Sequence, residues 1–281
     1  MQETFIRIAG ITIAVRCDDP RVTCLYEGAV TRFLVDPAPP DVELDVVFLE
    51  RYEPPRGELL FDSGAVWKMY AEDGGVRLEC QSEMIGDAPY KVTTFNDDFT
   101  RGTIRCSLTK PFDPIEYPLD ELLIANLLGR GRGVELHGCG VVGHDGRGHL
   151  FVGQSGAGKT TTARMWGDDA REIVSDDRVI VREHDGELRM HGTPWHGEAE
   201  LASATSAPLA GVYLLTQAKE NELRELHPAV AVARLFGCTF PPFHNAKAID
   251  FTMSMLERIV SSVPVREFRF TLDRAALELI V

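Results

Sequence analysis

Eight consecutive residues near the middle of the chain have types and spacing that can do chemistry: Gly153, Gln154, Ser155, Gly156, Ala157, Gly158, Lys159 and Thr160. The pattern G-x-x-x-x-G-K-[ST] is that of a phosphate-binding loop. Its glycines let the backbone turn tightly and bring N–H groups against phosphate oxygens. A helix that starts at the lysine adds unsatisfied amides and the positive end of its dipole. In such a loop Lys159 reaches the β- and γ-phosphates of a nucleoside triphosphate, and the Thr160 hydroxyl binds Mg2+. Thr161 follows in the same first helical turn. ATP and Mg2+ are therefore the expected ligands, although no motif contacting the base is visible.

A second group of residues lies about one helix and one turn further on, at Asp176 and Asp177. A strand ending in two carboxylates can set them beside a phosphate loop. Adjacent residues on a strand face opposite ways, so a shared role needs the chain to bend there. One carboxylate would then hold Mg2+ and the other would accept the proton of an attacking hydroxyl. The plain alternative is a polar Ser-Asp-Asp turn. His137, on the strand ahead of the loop, reads either as a satisfied core residue or as a neighbour of the γ-phosphate and metal. His191, His196 and Glu198 gather around Trp195 without a strong metal spacing, and read as a substrate-facing loop or as plain surface. Arg164 and Arg178 fit phosphate neutralisation or simple solvation. Cys139 and Cys238 read as packing residues.

These side chains need elements to position them. His149–Val152 is short and apolar, as a buried strand is, and Thr160–Trp166 can wind into a helix. Strand, glycine turn and helix are the context the motif requires. Val134–Val142 pairs with Gly148–Val152 across a turn at 144–147. Glu172–Val181 is a strand interrupted at the two acids. Gly211–Thr216 is a core strand, Ala229–Phe236 and Ala246–Val260 have helical spacing, and Val265–Phe270 alternates as a strand. Asp273 caps a last short helix.

Before that core, residues 1–112 are strand-rich, with a bend at Gly10 and hairpin turns at Glu72–Gly75 and Asn96–Asp98. They form an expected antiparallel β-rich region. Residues 113–281 form the nucleotide-binding core, entered through a helix between Pro118 and Gly129. The fold class expected is α/β, a mixed sheet of α+β-like character behind a β-rich N-terminal region.

Composition narrows the partners. The chain has 281 residues, 44% of them apolar, and a net charge of −14. That acidity argues against a nucleic-acid or anionic-membrane partner, both of which need a basic face, and leaves room for a local basic pocket around phosphates. No stretch approaches the ~20 apolar residues of a membrane span. Six scattered cysteines without a C-x-x-C pair read as buried thiols in a reducing compartment, so a soluble cytoplasmic protein is expected.

Together, Glu135–Gly138, Gly153–Thr160 and Ile173–Asp177 resemble the catalytic core of HPr kinase/phosphorylase, which is similar to that of ATP-dependent phosphoenolpyruvate carboxykinase. The resemblance covers about residues 118–270 and is greatest to the small HPr-kinase-related proteins. It implies a phosphate loop in a mixed sheet flanked by helices, Lys159 on the β- and γ-phosphates, and Thr160 on Mg2+. It implies Asp176 as the general base, Asp177 as the metal-side carboxylate and His137 near the γ-phosphate. One position and one stretch depart from the family: Gln154 stands where HPr kinases usually carry Asp, and Thr193–Glu198 replaces their arginine-glycine-leucine-glycine signature. The related kinases form oligomers, so a homo-oligomer is compatible with the resemblance.

The activity expected is ATP- and Mg2+-dependent phosphoryl transfer to a serine-like hydroxyl of a small molecule, peptide or protein. The alternatives are a nucleotide-binding regulatory or scaffold module without turnover, and a kinase/phosphorylase whose main activity is phosphorolysis.

Overall fold

Alternating apolar residues punctuated by Gly and Asp turns make most of the regular structure in the first part of the chain strand. The computed structural model describes residues 2–167, 170–271 and 273–280, and the chain divides into two units, Met1–Leu127 and Leu128–Val281. The division falls after the helix α1 (Leu119–Leu127), whereas the sequence suggested 112/113, at the proline cluster before that helix.

The first unit holds β1 (Gln2–Ile8), β2 (Ile11–Cys17), β3 (Leu34–Val35), β4 (Val42–Phe48) and β5 (Leu59–Asp62), then β6 (Trp67–Glu72), β7 (Gly75–Ser82), β8 (Gly86–Asn96) and β9 (Arg101–Cys106). They form one nine-stranded sheet in the order β3-β1-β2-β4-β9-β8-β7-β6-β5. The turns read from sequence fall where expected: β1 pairs with β2 across Gly10, Glu72 pairs with Gly75, and β8 pairs with β9. The expectation of an antiparallel region needs correction, because β2–β4 and β4–β9 are parallel. Hairpin signals mark only neighbours in sequence. A parallel pair needs a long crossover, and nothing local in either strand records it.

The second unit holds β10 (Val134–Gly143), β11 (Gly148–Val152), α2 (Lys159–Trp166), β12 (Ala170–Ser175), β13 (Arg178–His184) and β14 (Glu187–His191). They are followed by β15 (Ser206–Gln217), β16 (Glu222–Glu225), α3 (Pro228–Phe236), α4 (Ala246–Ser262) and β17 (Val265–Phe270). The sheet runs β11-β10-β13-β14-β15-β17-β16, and β11 also pairs in parallel with β15. Strands β10, β13, β14, β15 and β11 therefore close into a ring. Both units are thus mixed sheets, and the chain is α/β.

Strand β11 shows why the ring is stable. Leu150 and Val152 point into one core, with Leu136, Val179 and Val212 and with Leu235 and Leu256 of the helices α3 and α4. Phe151 points into the other core, against Ala163 and Trp166 of α2 and against Tyr213, Phe268 and Phe270. A strand buried on both faces reads as a continuous apolar run rather than an alternating one. Among the described residues, no helix is long and apolar enough to cross a membrane. All six cysteines are buried and free of disulfides.

Candidate functional site

The site is assembled by a break in one strand. Strand β10 is antiparallel to β13 over Val134–His137 and to β12 over Gly140–Gly143. Strands β12 and β13 are one extended path, bent at Asp176 and Asp177 between them. Ser175 makes the bend: its hydroxyl oxygen accepts the N–H groups of Asp177 at 3.2 Å and Arg178 at 3.1 Å, and its O–H donates to the Trp195 carbonyl. Ser side chains stabilise turns in this way. The bend the two acids needed is therefore present.

Backbone hydrogen bonds tie the pieces together. Gly138 N–H donates to the Asp177 carbonyl at 3.0 Å, and Gly153 N–H donates to the His137 carbonyl at 3.3 Å. The strand carrying His137, the bend carrying Asp177 and the start of the glycine loop are thereby adjacent. The loop leaves β11, and Gly158, with φ +107°, is the N-cap of α2. A Cβ there would lie 2.7 Å from Phe270 Cζ, so both the backbone angle and the packing select glycine. Thr162 is the first residue of α2 to bond back, to the Gly158 carbonyl at 2.8 Å. The first-turn amides of Lys159, Thr160 and Thr161 have no intrahelical acceptor, as at any helix start. Gln154, Ser155 and Gly156 are exposed, and Ala157 and Thr160 are half-buried.

Two side chains hold the loop, and sequence reasoning missed what they bind. Gln154 Nε2 donates to the Gly237 carbonyl at the end of α3, at 2.6 Å, and Gln217 Nε2 donates to the Gly156 carbonyl at 3.0 Å. Gln154 was visible only as a departure from the family pattern, and Gln217 sits at a strand end with no motif around it.

Lys159 is buried, and its Nζ donates to the Gly153 carbonyl at 3.1 Å and the Gln154 carbonyl at 3.2 Å. Burial lowers its pKa, opposed chiefly by the charge of Asp177. Asp177 Oδ1 is 3.0 Å from His137 Nε2, and Oδ2 accepts from Arg178. Burial raises the Asp177 pKa, but the His137 hydrogen bond and the charges of Arg178, His137 and Lys159 outweigh it and leave the carboxyl below its ordinary value. Arg178 is not a solvated arginine. Its Nε is 3.3 Å from the buried Glu135 carboxylate, and its guanidinium lies over the Phe240 ring at 4.0 Å. Glu135 is visible in the sequence only as part of the Glu135–Gly138 run, and neither its pairing with Arg178 nor Phe240 is legible there, because a lone acid in an apolar strand and a lone Phe in a loop carry no pattern.

Asp176 stands apart from the role the resemblance implied. It is 1% exposed, and its two oxygens accept the N–H groups of Gly197 and Ala199, each at 2.9 Å. It anchors the loop after Trp195, while Asp177 is the acid whose charge acts on Lys159. His191 does not join His196 and Glu198. It is buried on β14 with its ring 5.3 Å from that of His184, whereas His196 and Glu198 are exposed. Among the described residues no three His, Cys, Asp or Glu side chains gather as a metal-binding group. Arg164 is exposed on α2, Cys139 is wholly buried, and the Cys238 sulfur accepts a long contact of 3.8 Å from Gln154.

No family model matches this chain, and no curated protein matches it. Matches among solved structures number 41 chains. They include the Hpr(Ser) kinase/phosphatase from Coxiella burnetii, with 12% identity and a TM-score of 0.25, covering 45% of this chain and 92% of that one.

Proposed function

We propose that the second unit binds ATP with Mg2+ at Gly153–Thr160 and transfers the γ-phosphoryl group to a hydroxyl of a small molecule, peptide or protein. The observation that carries this reading is the set of backbone bonds drawing His137, Asp177 and the start of the glycine loop together, with Asp177 acting electrostatically on Lys159. The donor set fits a triphosphate: unsatisfied amides at the start of α2, a lysine ammonium, and glycines at φ +79° and +107°, with open space around Gly156. It also fits Mg2+, which takes one or two carboxylates beside phosphate oxygens and water. Thr160 and Asp177 would hold the ion, which when bound neutralises charge on the phosphates.

The residues divide the work. Asp177 accepts from His137 Nε2–H, which leaves Nδ1 as the proton acceptor. The acceptor hydroxyl gives its proton to His137 Nδ1 as its oxygen bonds to the γ-phosphorus, and the bond from that phosphorus to the bridging oxygen breaks to release ADP. Lys159 moves from the loop carbonyls to the phosphates. Asp176 holds the loop at Gly197–Ala199, which would border the acceptor.

The test is γ-labelled ATP with Mg2+ and a panel of serine-bearing acceptors, alongside calorimetry of ATP binding. Transfer to an acceptor is expected. Lys159→Ala should weaken ATP at least about tenfold, the worth of a charge-assisted hydrogen bond. Unchanged ATP affinity in that variant would overturn the assignment. One observation favours a module without turnover: Lys159 is already satisfied by its own loop. Tight ATP binding with no transfer to any acceptor selects that reading, and dependence on added inorganic phosphate selects phosphorolysis.

A further inference from the structure

The register of β10 against β13 sets His137 directly opposite Arg178 and Glu135 opposite Ile180. Side chains two apart on a strand share a face. Glu135, His137 and Arg178 are therefore one cluster on one face of the strand pair, and the Asp177 carboxylate joins it from the bend.

Several contacts fix the arginine. Its Nε is 3.3 Å from the buried Glu135 carboxylate, and its guanidinium lies over the Phe240 ring at 4.0 Å. Its backbone is held as well: the N–H donates to Ser175 Oγ at 3.1 Å, and the carbonyl accepts from Thr193 Oγ1 at 2.7 Å. Phe240 is placed in turn by the two residues before it. His137 N–H donates to the Cys238 carbonyl at 2.8 Å, and Thr239 forms a bridge with Leu136. A planar guanidinium held by an ion pair and a ring face has a set direction. A carboxylate by itself does not, because its terminal torsion is broad and two-fold. Arg178 binds Asp177 Oδ2, which leaves Oδ1 3.0 Å from His137 Nε2. The hydrogen bond made by one ring nitrogen of a histidine decides which nitrogen carries the proton.

We propose that Arg178, held between Glu135 and Phe240, is the positioning residue of the site: it turns the Asp177 carboxylate so that His137 carries its proton on Nε2 and leaves Nδ1 as the acceptor. For catalysis this rests on the phosphoryl transfer proposed above, whereas the position of the proton can be read without any turnover.

The test uses the full chain labelled with 15N at its eight histidines, in alkaline buffer where imidazole is neutral, with His137→Gln to identify the resonances. Protonation at Nε2 alone is expected in the parent chain. Arg178→Met by itself strands the buried Glu135 carboxylate, so it is paired with Glu135→Gln. That double variant should show both tautomers of His137, and Arg178→Lys, which keeps the charge, should return most of the Nε2 form. Phe240→Leu keeps every ion pair and should show the same change to a smaller extent; if the double variant does not fold, Phe240→Leu decides. Turnover should fall on the order of tenfold to a hundredfold in the double variant, with ATP affinity by calorimetry within about threefold. His137 still protonated only at Nε2 in every folded variant refutes the proposal, and so does an Nδ1-protonated ring in the parent chain. Turnover that falls only in step with ATP affinity also refutes it, by placing Arg178 on the nucleotide. A parent chain that binds ATP and phosphorylates no acceptor removes the phosphoryl transfer instead, and the tautomer comparison still decides the role of Arg178.

Discussion

Two adjacent acids illustrate what a sequence discloses at the scale of the residue. That Asp176 and Asp177 follow a glycine loop at one helix's distance is plain in the chain, and so is the need for a bend between their strands. Which partners each acid meets is not, because strand alternation sends neighbours to opposite sides and the outcome rests on residues far away in sequence. Gly197 and Ala199 occupy Asp176; His137 and Arg178 occupy Asp177. The two Asn variants should therefore differ in kind. Asp177→Asn keeps an oxygen that can accept from His137 but loses the negative charge that would stabilise its imidazolium, and loss of such acid–base support lowers turnover ~10²–10⁴-fold, with ATP binding retained. Asp176→Asn turns an amide N–H toward a backbone N–H. It should cost ~1–3 kcal/mol of stability and raise the KM for the acceptor more than it lowers kcat. Steady-state kinetics with thermal unfolding separates them. If Asp176→Asn abolishes turnover at full stability while Asp177→Asn turns over normally, the roles are the reverse.

At the scale of the element, local chemistry is what was legible. The hairpins at Glu72–Gly75 and between β10 and β11, the helix after Pro118 and the Asp273 cap on Ala275 are each written in a few neighbouring residues. The parallel pairs β2–β4 and β4–β9 and the closure of β11 onto β15 are not, since they join strands separated by tens of residues through side chains suited to any buried strand. The glycine loop lies between these cases: its pattern announced the turn, but only the packing distinguishes its glycines. Gly156 has φ +79° and open space around it, whereas a Cβ on Gly158, at φ +107°, meets Phe270 at 2.7 Å. Gly156→Ala should cost ~1–2 kcal/mol, the penalty of a left-handed backbone. Gly158→Ala adds a clash with a fully buried ring and should lower the Tm clearly more. Equal losses in the two variants, measured by thermal unfolding, would mean that Phe270 does not constrain the start of α2.

Over the whole molecule, the two units answer pH in opposite directions, because each buries a different kind of titratable group. In the second unit burial, reinforced by His184, Arg182 and Arg189, pushes the His191 pKa down to about 3. Burial lowers His149, His184 and His244 in the same direction. A histidine held neutral in the fold binds its proton only on unfolding, so stability falls as pH drops through the ordinary value near 6.5 toward 3. In the first unit burial raises Asp113 to about 6, against the lowering effects of the Ile115 amide and Lys91. There the folded form holds the extra proton, so stability present below the ordinary carboxylate value is lost as pH rises through about 6. Acidification from pH 7 to 4.5 should therefore weaken the second unit by an amount on the order of a few kcal/mol at most, while the Asp113 contribution strengthens the first. Trp67 reports on one unit and Trp195 on the other, so single-tryptophan variants followed in denaturant resolve the two. The midpoint at Trp195 should fall between those pH values and that at Trp67 should not. His191→Gln should flatten most of the acid loss at Trp195. If that variant keeps the full pH dependence, the buried imidazole is not its source, and the proton taken up on unfolding belongs to another side chain of the second unit.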